Sequence, residues 1–407
     1  MPNNILNGKS FLLTQSSLHW LAGSEMYILE LAEYLRSNNA KVKIFTYYFD
    51  YPIKSVFDDK NIEVTTDENI LDLSSFDYVW VNHQTLPVSI IKNLKNNGQK
   101  PIFIFNHMSP FEHLPIEKPF IWEIEDKIAS VSVYNSKETF DSQKKLLNNN
   151  QPKIILPNPA PEEFSKIERI ASKTVRKILI VSNHAPSELE EAAKKLVLKG
   201  IQVEHAFSSS EKPRHIDAAY ISKFDVVVSI GKTVQYCLTA GIPIYVYDYF
   251  GGPGYLNKKN FKSAEKKNFS GRGFEKKSSK KIAKEIIEEY LSATEYYQNE
   301  RKLFIEKFAL NKVFPRLLND IKPKKMTNFT DKYINYLITS YRKNSEDLLL
   351  IRNQSKKIDQ YAKEINDVVL QNKLLNSEIS DVYTSLSWRL TQPLRKIKVL
   401  VSRLISE

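Results

Sequence analysis

A single cysteine, Cys237, in 407 residues leaves no partner for an internal disulfide and no thiolate set for a metal cluster. That usage fits a cytoplasmic protein. Long hydrophobic runs are missing as well. Residues 1–10 are polar, and the first apolar run, residues 11–13, is far shorter than a signal-peptide core or a membrane span. Acidic residues are outnumbered, 47 Asp plus Glu against 59 Lys plus Arg, for a formal net charge of +12. The excess admits nucleic acid, an anionic membrane or a phosphorylated ligand as partner. The lysine blocks lie mainly beyond residue 258, and no module interleaves base-stacking aromatics with arginine, so nucleic acid is not expected. No His-x-x-His or Asp-x-Asp pair stands out, and no protein-bound metal or resident cofactor is expected.

What remains is ordinary globular material, 42% hydrophobic and 11% aromatic, too long for one domain. Apolar runs at residues 10–13, 41–48, 78–81, 101–105, 129–133 and 153–156 read as strands. Residues 16–23 read as a loop. Residues 24–38 read as a helix, with Met26, Ile28, Leu29, Leu31, Ala32 and Leu35 apolar. A charged stretch, residues 167–176, lacks an apolar period. After it a second series begins, with strands at 177–181, 202–206, 226–230 and 243–247 and helices at 187–199 and 233–240. Strands alternating with helices predict an α/β fold of two Rossmann-like domains, residues 1–170 and 171–322.

Residues 323–407 form a third region, polar, helix-prone and free of glycine, expected as a helical appendage. Ile351, Ile358, Ile365 and Asn372 fall seven apart, with a weaker row at Leu348, Ser355, Ala362 and Val369. The pattern suggests an imperfect coiled coil or a docked helix, and leaves a homo-oligomer open. Beyond Trp388 and Pro393, the residues Leu394, Ile397, Leu400, Val401, Leu404 and Ile405 share one helical face. Arg395, Lys396, Lys398 and Arg403 occupy the rest, the pattern of an interfacial helix on an anionic membrane or of a helix packed on protein.

Only eleven glycines are present, yet seven of them (Gly231, Gly241, Gly251, Gly252, Gly254, Gly271 and Gly273) fall in one stretch of the second domain. Glycine lets a ligand approach the backbone, and a glycine loop at the carboxyl end of a parallel strand is where α/β domains bind ligands. The apolar strand 226–230 runs into Gly231-Lys232-Thr233 and then a helix. Backbone N–H groups, the helix dipole, the Lys232 charge and the Thr233 hydroxyl can together face a phosphate, although a tight strand-to-helix turn explains the same residues. It is not a Walker loop, since the upstream glycine would fall at Val226. The next loop, opening at Asp248 and carrying Gly251 and Gly252, emerges on the same sheet edge. Arg272 follows in a turn that could fold over both. His184, after the first strand of this domain, is a further candidate diphosphate contact, although a helix-entry loop with Ser187 as N-cap explains the same stretch.

These residues resemble the GT-B glycosyltransferases of the bacterial group 1 or family 4-like kind, which build capsules, O-antigens and wall polysaccharides. The resemblance covers roughly residues 10–320. Gly23-Ser24-Glu25 with Leu29-Glu30-Leu31-Ala32 is similar to the family's first loop and helix. Ile230-Gly231-Lys232-Thr233-Val234-Gln235-Tyr236 through Ala240-Gly241-Ile242-Pro243 is similar to the helix that caps the donor diphosphate. Tyr247-Asp248-Tyr249-Phe250-Gly251-Gly252-Pro253-Gly254 is similar to a donor-sugar loop.

The resemblance implies transfer of a hexosyl or deoxyhexosyl group from a nucleotide sugar to a saccharide, lipid-linked in this family, at the inner face of the cell membrane. Two glutamates eight residues apart, frequent in retaining members, are replaced by Val228 and Tyr236, so both anomeric outcomes stay open. A non-catalytic GT-B-like partner or scaffold, or a sugar-nucleotide epimerase, stays open with them. Transfer to a hydroxyl calls for leaving-group stabilisation and, with inversion, a general base. His19 and His107, each after a strand, are the candidates, and His107 is the closer to the family's cleft histidine. His83 ends another strand, and His113 falls in an expected acceptor loop.

Overall fold

In the computed structural model, described for residues 5–95, 101–111, 122–146, 151–207, 215–324 and 329–405, the two expected Rossmann-like domains are present. The first carries β1 (Ser10–Leu18), β2 (Lys41–Phe49), β3 (Val64–Thr65), β4 (Tyr78–Asn82), β5 (Ile102–His107), β6 (Ala129–Tyr134) and β7 (Lys153–Ile155). They form one parallel sheet in the order β3-β2-β1-β4-β5-β6-β7. The chain reverses its direction of winding between β1 and β4, and that reversal opens a crevice at their carboxyl ends. Residues 16–18, expected in a loop, are instead strand. Ser17 pairs with Tyr48 and Leu18 with Phe49, so ladder hydrogen bonds carry polar Gln15, Ser16 and Ser17 into the interior.

The second domain carries β8 (Lys177–Ile180), β9 (Gln202–His205), β10 (Val226–Ser229), β11 (Ile244–Asp248) and β12 (Gly251–Tyr255), in the order β12-β11-β10-β8-β9. Its reversal point lies between β8 and β10. All pairs are parallel except β11 with β12. The glycine stretch expected to be a ligand loop is therefore largely that antiparallel edge strand. Chain packs on chain there: a Cβ at Gly252 would collide with the Val246 carbonyl, and one at Gly251 would stand 2.7 Å from the Glu275 carbonyl oxygen.

Buried strands such as Val226, Val227 and Val228 are apolar on both faces because helices cover both sides of a parallel sheet. The chain crosses between the domains twice, and the two crossings pair. Ala160 N–H donates to the Phe308 carbonyl and Leu310 N–H to the Ala160 carbonyl. After the second crossing, the Leu310–Asp320 helix buries Leu310, Val313, Phe314, Leu317 and Leu318 in the first domain's core.

One compact unit runs from Met1 to Ser345, and a second from Glu346 to Glu407. The boundary at 323 thus falls inside the first unit, where Ile334, Leu337 and Tyr341 of the Asp331–Thr384 helix are buried in the other face of the first domain's core. The second unit holds the rest of that helix and the helices Leu386–Leu390 and Gln392–Ile405. Side chains from 399 onward, including Leu400, Val401, Arg403, Leu404 and Ile405, lie outside the described residues. Among those described, no helix is long and apolar enough to cross a membrane.

Candidate functional site

The two sheets turn their carboxyl edges toward one cleft of about 780 Å³. Parallel strands all release their loops at that edge, so every strand-to-helix turn near a reversal point delivers side chains to the same space. From the first domain come Gly23, His83, Met108, Ser109, Phe111 and Asn135. From the second come Ser182, His184, Gly231, Lys232, Thr233, Asp248, Phe250 and Arg272.

The second domain's face is built around the Lys232–Ala240 helix, whose N-terminus enters the cleft. Gly231 caps it at φ 61°, ψ −133°, a backbone state that side chains strongly disfavour, and a Cβ built there meets no protein atom within 4 Å. The positive end of the helix dipole is therefore approachable. Beside it the Ser182 hydroxyl donates to both Asp248 carboxylate oxygens at 3.0 and 3.1 Å, while the His184 N–H donates to Ser182 Oγ at 3.2 Å. Burial raises the Asp248 carboxyl above its usual range, against the Tyr249 N–H, Ser182 and His184.

Lys232 is buried. Its Nζ stands 2.7 Å from Glu30 of the first domain's Gly23–Ser37 helix, donates to the Pro159 carbonyl at 2.9 Å, and lies over the rings of Tyr27 and Tyr236. The Tyr236 hydroxyl donates to the other Glu30 oxygen. Burial pushes Glu30 up to about 7 in spite of these partners, and burial likewise lowers Lys232. Arg272 makes a second clasp across the cleft. Its guanidinium reaches Glu138 through Nε at 3.0 Å and Nη2 at 2.5 Å, between the rings of Phe111 and Phe250.

On the first domain's face, His83 and Gln84 follow β4 in left-handed backbone, φ 47° and 53°. Such strain persists only where the surroundings hold it. Here Thr85 N–H donates to the Asn82 carbonyl, and the Gln84 amide donates to Glu125 at 2.8 Å. His83 thereby lines the cleft, and burial, with His107 adding, lowers it to about 4, which keeps the ring neutral at physiological pH.

The predicted residues divide cleanly by position. Gly23, His184, Gly231, Lys232, Thr233, Asp248 and Arg272 share the cleft. Gly251 and Gly252 lie in β12. His107, the last residue of β5, is buried behind the lining, with Nε2 2.8 Å from Glu125 and its ring stacked on Tyr134. Burial pushes the Glu125 carboxyl up, but His107, Ser132 and Gln84 together hold it below the usual range. His19 also stands outside the lining, its Nδ1 3.3 Å from Glu25 and its ring against Trp20 and Tyr48. His113 lies outside the described residues. Among those described, no group of His, Cys, Asp or Glu is placed to hold a metal ion.

Sequence reasoning passed over Glu30, Glu138 and Asn158. Glu30 had one signal, its position four residues after Met26 and seven after Gly23 on the helix face that meets the cleft. The other two had none.

No protein-family model matches the chain, and no curated protein matches it. Solved structures do. A glycosyltransferase from Rickettsia africae ESF-5 superimposes with a TM-score of 0.50 at 14% identity, over 77% of this chain and 97% of that one. Anabaena HepE, solved with UDP and glucose, gives 0.47 at 11% identity over 76% and 98%. A sucrose-phosphate synthase from Thermosynechococcus elongatus gives 0.46 at 10% over 76% and 98%. The first likeness carries the fold: two Rossmann-like domains in the GT-B arrangement.

Proposed function

We propose that this chain is a glycosyltransferase that moves a hexosyl or deoxyhexosyl group from a nucleotide sugar to a saccharide acceptor. The observation that carries this reading is the Gly231-capped helix N-terminus opening into free space between two confronted strand edges. Departure of a nucleoside diphosphate leaves negative charge on the β-phosphate. Donors fixed beforehand at that point lower the barrier, since nothing has to reorganise as the charge develops. The Thr233 end of the helix and the His184 side chain supply such donors, and the Ser182 hydroxyl, which donates to Asp248, fixes the loop beside them.

His83 takes the acceptor proton in this reading, because its ring is neutral and lines the cleft opposite the helix. A bound diphosphate would raise its proton affinity and make it a stronger base. His107 acts through Glu125, which fixes Gln84 and so the strained turn that aims His83.

The acceptor is a lipid-linked saccharide of cell-surface polysaccharide synthesis, met at the cytoplasmic face of the membrane. Supporting this are the exposed Leu394 and Ile397 beside Arg395, Lys396 and Lys398 in the C-terminal helix, with Trp388 just before it.

The test is a panel of UDP-, GDP- and dTDP-sugars, with melting shifts for binding and product analysis with and without acceptors. A Gly231→Val variant is carried alongside. We expect turnover only with acceptor, and at least about tenfold weaker donor binding in the variant, roughly 1.4 kcal/mol. Unchanged affinity would remove the phosphate site. Binding without turnover would favour a scaffold, and consumption of donor alone an epimerase.

A further inference from the structure

The second unit carries a seam that the single chain leaves open. Along the Asp331–Thr384 helix, Ile351, Ile358, Ile365, Asn372 and Ile379 recur every seven residues. A second row, three residues on, reads Gln354, Tyr361, Val368, Leu375 and Val382. Positions spaced alternately three and four apart lie on one narrow face of a helix. All the apolar members of both rows are exposed, Ile351 by 60%, Ile365 by 62% and Leu375 by 53%. An α-helix of 3.6 residues per turn keeps a strict seven-residue stripe against a partner only by supercoiling around another helix with the same repeat. The period therefore asks for a helix as its occupant and not a flat surface.

We infer that this seam is the interface of a parallel, in-register, two-stranded coiled coil between two copies of the chain. Asn372 decides the geometry. In a parallel pair without stagger, each first-row residue faces its own counterpart, so Asn372 meets Asn372 of the partner subunit and the two amides satisfy each other. A shift by one heptad sets that amide against an isoleucine, Ile365 or Ile379. An antiparallel pair sets it against the second row, and the register that offers it an amide there, Gln354, sets Ile379 against Asp347. The heptad shift leaves a buried amide without a partner and the antiparallel register puts a carboxylate against an isoleucine, so the polar seam positions fix direction and register.

The flanking positions agree with self-pairing. In the parallel register, Lys357 falls beside Ala362 of the partner subunit, Glu364 beside Val369 of the partner subunit, Gln371 beside Asn376 of the partner subunit and Glu378 beside Tyr383 of the partner subunit. No like charges meet, and Gln371 can hydrogen-bond across. From Ile351 to Val382 the contact extends roughly 48 Å.

The full chain is the test material. Sedimentation equilibrium should return twice the chain mass at micromolar concentration, and Ile365→Asp should return the single mass with the main melting transition of the compact unit unchanged. Direction and register come from two single variants, Ile358→Cys and Ile379→Cys, since Cys237 is fully buried. Mild oxidation should cross-link each variant to its own copy. A monomer at about 50 μM overturns the inference, as does a dimer that survives Ile365→Asp. A dimer in which neither cysteine cross-links is antiparallel or staggered, and overturns it too.

Discussion

The contact between Glu30 and Lys232 makes the sharpest quantitative test of how the two domains are joined. Both side chains are buried, 2.7 Å apart, on helices from different domains, with Tyr236 donating to Glu30 and the Pro159 carbonyl accepting from Lys232. A buried pair is worth little against apolar residues of the same size, because desolvation offsets the attraction. Removing one partner strands a charge and costs about 3–5 kcal/mol. Glu30→Ala should therefore lower the melting point by about 5 °C, taking roughly 0.7 kcal/mol/K as the unfolding entropy of the compact unit. Glu30→Leu combined with Lys232→Met should recover most of that loss, giving a coupling energy of about 2–3 kcal/mol in a double-mutant cycle. The pH dependence supplies a second readout. Burial raises Glu30 to about 7, so the folded state binds its proton more tightly than the unfolded state. Its contribution to stability is complete below the usual carboxylate value and is lost as pH rises through 7, and Glu30→Gln should remove that slope. Additive single losses, or a slope unchanged in Glu30→Gln, would refute the reasoning.

Two further expectations follow from the site and the tail. His83→Ala should lower kcat by about 10²–10⁴-fold with donor affinity retained, as expected for loss of a proton acceptor. His107→Ala should lower it less, and His184→Ala should act mainly on donor affinity. In the wild type, kcat/KM should rise with pH through about 4 and then level off, since only the neutral ring accepts a proton. Equal, mild losses in all three variants would leave binding roles only. Truncation before Ser385 should preserve nucleotide binding and abolish sedimentation with anionic liposomes, each basic residue near the surface contributing about 1 kcal/mol. Equal sedimentation of both forms would rule the membrane contact out.

The domains were legible because strands buried on both faces are apolar without interruption, as at Val226, Val227 and Val228, and such runs stand out against polar helices. The exceptions share one cause. The end of β1 is polar yet inside the protein, and β12 is made of glycines that a sequence reader takes for a loop. In both cases pairing with a neighbouring strand, invisible locally, decides the structure. The lining of the cleft was legible mainly in its second-domain half, where Gly231 and the helix that follows are contiguous, and on the other side only at Gly23 and His83. Glu138 lies 134 positions from Arg272, and no spacing rule could join them. Of the histidines at strand ends, His83 and His107 look alike in sequence. The left-handed turn after Asn82 turns His83 to the cleft, and Glu125 holds His107 behind it.

The charges in the cleft show what the missing half of that reading contributes. Lys232 and Arg272, on the donor side, are the cations one would assign to phosphate from sequence, and each already has a carboxylate from the opposite domain. Under the proposed function, a diphosphate entering the cleft competes with Glu30 and Glu138 for the same two groups. The contests are unequal. Arg272 is partly exposed, so solvent weakens its pair and the exchange is easy. Lys232 is buried against Glu30, the Pro159 carbonyl and two tyrosine rings, and its release would strand Glu30 unless that carboxyl took a proton. Burial has already raised Glu30 to about 7, where protonation near neutrality is cheap. The same desolvation that makes this carboxylate a poor source of stability thus makes it a partner that Lys232 can leave. The helix dipole and Arg272 are accordingly the first contacts available to an incoming anion, and Lys232 is the last.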